Sequence, residues 1–129
     1  MKKQARAWLE AAQDDLSVIT EILENNSLTH MVAFHAQQAI EKSMKAVLEE
    51  KEEAIPRTHN IIVLREMINS FIVFDIDTDA FIQVNELYID SRYPTDIGLL
   101  PEGKPGMEDA VVFDKIARKI VTSIFDYLK

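Results

Sequence analysis

Apolar residues return every three or four positions along most of this chain, the period of helices with one buried face. Between Lys3 and Glu24, Trp8, Ala12, Ile19 and Leu23 recur at whole-turn spacings while Asp14, Asp15 and Glu21 fall on other faces, which predicts a first helix. The stretch ENNSLTH then offers turn residues at Asn25, Asn26 and Ser27, with Ser27 the expected N-cap of a second helix from about Leu28 to Glu52. That helix carries two stripes. Val32, Ala36, Ala39 or Ile40, Ser43 and Val47 form a core stripe, and His35, Gln38, Glu41 or Lys42, and Lys45 a polar one.

Pro56 breaks the pattern, and a third helix follows with Ile61, Leu64, Ile68 and Phe71 on one side and Thr58 or Asn60 able to cap its start. The stretch SFIVFDID is β-prone, but a lone strand has nothing to pair with, so it is expected as an apolar connector lying on the helices. A fourth helix, about Asp79 to Arg92, carries Phe81, Val84, Leu87 or Tyr88, and Ser91, and Pro94 marks its end. Residues 93–107 hold Gly98, Gly103 and Gly106 with Pro94, Pro101 and Pro105, the composition of a loop. From Met107 to Leu128, the fifth helix puts Phe113, Ile116, Ala117, Ile120, Val121, Ile124, Phe125 and Leu128 on one face. The pattern predicts an all-α fold, an antiparallel up-and-down bundle of four to five helices, in a single domain over residues 1–129.

Composition narrows the chemistry. There is no cysteine, which excludes disulfides, thiolate metal sites and cysteine nucleophiles and agrees with a cytoplasmic location. The opening MKKQARAWLEAAQDD lacks the apolar run of a secretory signal, and no segment approaches the roughly 20 apolar residues of a membrane helix. A net charge of -8 argues against broad attraction to nucleic-acid backbone while leaving room for a small basic pocket.

Several local patterns suggest sites. DIDTDAFIQVNE, from Asp75 to Glu86, spaces its acidic residues as a calcium-binding loop does, but Ala80 stands where the sharp turn needs glycine. Asp75, Asp77 and Asp79 are therefore expected to cap the fourth helix and complement its dipole. His30, His35 and His59 include no pair four apart, so no metal site and no cofactor is predicted, and His35 is expected partly buried and hydrogen-bonded. GLLPEGKPG is no phosphate-binding loop, because Pro105 stands where its helix should open. On pattern alone, Gln37, Gln38, Glu41 and Lys45 read as a solvated face with pairing four residues apart.

Four blocks in order, ARAWLEAAQDDL, AFHAQQAIEKSMKAVLEE, THNIIVLREM and YIDSRYPTD, together resemble the HEPN superfamily of α-helical domains, often found with nucleotidyltransferases. The resemblance implies a helical bundle that forms homodimers, with a polar cleft for nucleotides or RNA. It also implies a nucleotidyltransferase partner in a toxin–antitoxin-like pair. Its ribonuclease members carry an Arg-x(4 to 6)-His signature after the fourth helix. Arg92 matches the arginine, but residues 93–129 contain no histidine. RNA cleavage without metal needs a general base and a general acid, and an arginine that stays protonated supplies neither. The expectation is a nucleotide- or phosphate-binding module. Arg92 would contact phosphate, with Tyr93, Lys45, His35 and Gln38 as further ligand contacts. His59 joins Arg92 as the candidate for any catalysis. The alternatives are an endoribonuclease toxin with a non-standard acid or base, and a purely structural partner of another protein.

Overall fold

The computed structural model describes residues 1–90 and 104–129. Five helices follow in chain order: α1 (Lys3–Ile22), α2 (Thr29–Glu50), α3 (Ile61–Ile68), α4 (Thr78–Asp90) and α5 (Met107–Leu128). There is no strand among the described residues, and the 70–77 stretch is a connector whose Phe71, Ile72, Phe74 and Ile76 pack on the core.

The second helix is the axis of the bundle, because it alone packs against all four others. Its predicted core stripe of Val32, Ala36, Ala39, Ile40, Ser43 and Val47 is fully buried. Ala5 and Ala12 of α1 and Ala33, Ala36 and Ala46 of α2 are all buried in the core, and such small side chains allow helices to approach closely. The apolar face of α5 is buried as its spacing predicts, with Phe125 at the margin. Arg118 then fastens α5 to α1. Its Nε bonds Asp114 Oδ1 at 2.7 Å, and its Nη2 donates to Leu16 O at 3.1 Å and Thr20 Oγ1 at 2.8 Å.

Caps decide where the elements begin. Asn60, one of the two expected caps of α3, accepts from Ile62 N and Val63 N at 2.9 and 3.3 Å. Buried Asn85 of α4 accepts from Ile61 N at 3.1 Å and donates to Asn60 Oδ1 at 3.3 Å, joining the two helices. Asp77 caps α4 by accepting from Ala80 N at 3.1 Å, and Asp79 lies in its first turn. Ser27, by contrast, does not cap α2. Asn25 Oδ1 accepts from both its N–H and its hydroxyl, at 3.0 and 2.7 Å, so α2 begins after Leu28 without a side-chain cap. Helix α3 stops at Ile68, short of Phe71, which joins the connector. There Arg65 holds the chain, donating from Nη2 to Phe74 O at 3.0 Å while its guanidinium lies 5.2 Å from the Phe81 ring. At the far end of α2, Glu52 takes a positive φ of 59° in a tight helix-ending turn, with Glu53 N donating to Leu48 O at 2.9 Å.

Two outcomes are expected from these contacts. Asn85→Leu strands the buried Ile61 N–H and should cost about 1–3 kcal/mol, read as a lower urea midpoint with an unchanged slope. The second concerns His30, whose Nδ1 is buried with no partner among the described residues. Burial, and then the Lys104 ammonium, lower its pKa below the ordinary imidazole value. The unfolded chain therefore takes up this proton more readily than the folded one, and stability falls as pH drops through and below about 6.5. Urea midpoints measured on both sides of that pH should converge in His30→Gln relative to the parent protein.

Candidate functional site

Polar side chains on α2 would ordinarily face water, but α2 is covered from several sides, so part of its polar stripe is enclosed. Gln37 is 0 %, Glu41 4 % and Lys45 6 % exposed. The expected solvated face is thus a buried network, because α1 and the turn before α3 close over it. A buried carboxylate needs donors, and Glu41 has three. Its Oε2 accepts from Lys45 Nζ at 3.0 Å, and its Oε1 accepts from Gln37 Nε2 at 3.2 Å and binds His59 Nδ1 at 2.9 Å. Gln37 Nε2 also donates to His59 O at 2.6 Å, and Gln38 Nε2 donates to Gln37 Oε1 at 2.8 Å. Both the ring and the backbone of His59 are therefore anchored to α2.

A carboxylate only accepts, so the His59 proton in that bond belongs on Nδ1, which leaves Nε2 as the atom able to meet a ligand. The side chain is 43 % exposed, and no described residue bonds Nε2. His59 is thus a partly open imidazole with a fixed orientation, the arrangement that second partners give to metal-binding and catalytic histidines alike.

A second imidazole is held the same way. His35 Nδ1 lies 2.9 Å from Asp15 Oδ1, and Lys42 Nζ donates to Asp15 Oδ2 at 2.7 Å, tying α2 to α1. His35 is accordingly hydrogen-bonded and partly buried. A row of rings joins the two: His35 meets Phe34 at 5.2 Å, Phe34 meets Tyr88 at 5.5 Å, and Tyr88 meets His59 at 5.5 Å between centroids. Lys45 also reaches the other way, its ammonium 5.6 Å from the centre of the Trp8 ring.

Of the residues predicted for the site, His59, Lys45 and Gln38 come together through Glu41 and Gln37, and His35 joins them through the ring row. Lys45 has its ammonium engaged by Glu41. Arg92 and Tyr93 lie outside the described residues. Glu41, expected on the polar stripe, is the hub of the network; Asp15 is a partner that the sequence does not signal, and Tyr88, expected on the packed face of the fourth helix, takes part in the ring row. The spacing of four between Gln37, Glu41 and Lys45 was a usable signal for one shared face. Nothing local signals the bonds of Glu41 to His59 or Asp15 to His35, since 18 and 20 residues separate those partners. Among the described residues, no group of three or more histidine, aspartate or glutamate side chains is arranged to hold a metal ion.

Comparison with known proteins gives two matches. The family model for the HEPN domain matches residues 5–125. The crystal structure of ST0689, an archaeal HEPN homologue, superposes with a TM-score of 0.70 at 23% identity, over 99% of this chain and 100% of that one, a likeness of fold. No curated protein matches.

The buried pair makes a prediction of its own. Lys45→Met leaves Glu41 without its balancing charge and should cost about 3–5 kcal/mol in chemical denaturation. Changing Glu41→Leu in the same chain should recover part of that loss, since no unpaired buried charge then remains at this position.

Proposed function

This chain belongs to the HEPN domain family, a nucleotide- and RNA-related module, and from that premise we propose that it grips the phosphate of a nucleotide or an RNA at the His59 end of the Glu41 network. The observation that carries the reading is the anchored His59, held by Glu41 through Nδ1, with Nε2 bonded to no described residue and its ring against Tyr88 near the end of α4. Arg92 follows Tyr88 by one helical turn's worth of sequence, in the block YIDSRYPTD. Its planar fork offers paired donors to phosphate oxygens, and Tyr93 beside it offers a ring for a base or a hydroxyl for a hydrogen bond. Gln38 and His35 line the same α2 stripe as further polar contacts, and Lys45 acts through Glu41. In this reading the module is a homodimer that works with a small nucleotidyltransferase in a toxin–antitoxin-like pair, the partnership its family suggests.

The carboxylate-held imidazole favours one second reading, an endoribonuclease without the usual histidine. His59 Nε2 would take the proton of a ribose 2′-hydroxyl, and the freed oxygen would close on phosphorus. The 5′ oxygen would leave with a proton from water, giving a 2′,3′-cyclic phosphate. Arg92 would stabilise the charge that builds on the phosphate.

Calorimetric titration of ATP, GTP and a short RNA into the purified protein tests the first reading. Saturable binding is expected, weakened about tenfold or more in Arg92→Ala and in His59→Ala. A wild-type protein that binds none of the three ends it. Incubating the same RNA and analysing its ends tests the second, because 2′,3′-cyclic ends that disappear in His59→Ala would establish cleavage and intact RNA would exclude it.

A further inference from the structure

Trp8 is the chain's one tryptophan, and the phosphate site makes no use of it. It is half-buried on α1 and, with Gln4, Ala7 and Glu49, lines a surface cavity of 230 Å³. A cavity of this size falls below the roughly 300–1,000 Å³ of drug-sized sites, so it suits a single flat ring system rather than a whole nucleotide. Ala7 keeps it open: its neighbours Gln4 and Trp8 are one turn apart on the same face of α1, and a methyl group between them leaves the space unfilled.

The polar groups select the ligand. The indole Nε1 donates to Glu49 Oε1 at 3.4 Å, the long end of the hydrogen-bond range, and no described residue bonds Oε2. The carboxylate therefore keeps most of its acceptor capacity and, lacking donors, wants an edge rich in N–H groups. Guanine has that edge, with N1–H and the N2 amino group side by side. Adenine and cytosine each put an acceptor nitrogen next to their amino group, and uracil flanks its N–H with two carbonyls. Gln4 can donate its amide to the guanine O6. On the indole, Lys45 already lies over the ring, its buried ammonium drawing the π-system into the same electrostatic field as Glu41.

We propose that this cavity is a guanine subsite, in which Trp8 stacks on the base and Glu49 accepts from its N1–H and N2 amino group. The proposal rests on the phosphate-binding reading and deepens it. Lys45, bonded to Glu41 and lying over the Trp8 ring, links this cavity to the network that holds His59.

The test uses the full chain with GMP, AMP, CMP and inorganic phosphate, followed by Trp8 fluorescence and by calorimetry. GMP should quench Trp8 and bind about tenfold tighter than AMP or CMP, the discrimination expected of a bidentate pair. Glu49→Gln, which presents one donor and one acceptor, should abolish the preference while phosphate binding and helical circular dichroism stay at parent levels. Trp8→Phe should keep the preference with weaker binding. Phosphate and all three nucleotides binding alike, with Trp8 unquenched, would overturn the guanine subsite and leave the phosphate site standing. A preference that survives Glu49→Gln would overturn it too. Absence of binding by every probe, phosphate and RNA included, would remove both.

Discussion

A carboxylate taken out of water must be met by donors, and Glu41 lies in the middle of the helix on which the other four pack. Much of the local structure answers that requirement. Lys45 supplies the opposing charge from one turn further along α2, and Gln37 supplies an amide from one turn earlier. The third donor, His59, arrives from the segment before α3, and with it the path of that segment is set. Gln37 reinforces this by taking the His59 carbonyl, and Asn60 next door caps α3 and is held in turn by Asn85 of α4. One buried charge is thereby linked, bond by bond, to the start of α3 and the flank of α4.

The helices were legible because each buries one face and the apolar period records it. The core stripe of α2 and the long face of α5 appear in the structure as the spacing predicts. What spacing cannot record is how many neighbours a helix has. Gln37, Glu41 and Lys45 read as a solvated face because polar residues on a two-neighbour helix point to water, whereas α2 has four neighbours and its polar stripe is roofed. The same limit applies to partners. Asp15 and His35 each sit on a face the sequence identifies, yet their meeting depends on how α1 lies against α2. Local competition explains the smaller differences: Ser27 turns its hydroxyl to Asn25 rather than to α2, and Phe71 leaves the α3 pattern for the connector because the helix ends at Ile68.

The two carboxylate-held histidines bear on the choice between gripping a phosphate and cutting one. In-line cleavage places a base and an acid on opposite sides of one phosphorus atom, so two imidazoles that share the work must both reach it. Here Phe34 and Tyr88 stand between His35 and His59, each ring in contact with the next. Phe34 and the buried Tyr88 thus separate the two imidazoles along the row. His59 alone can manage one proton transfer, which is half of what rapid cleavage needs. The same ring, fixed by Glu41 through Nδ1, accepts at Nε2 when neutral and donates to a phosphate oxygen from Nε2 when it carries both protons. In the proposed reading, His59 is therefore one contact to a phosphate rather than half of an acid–base pair.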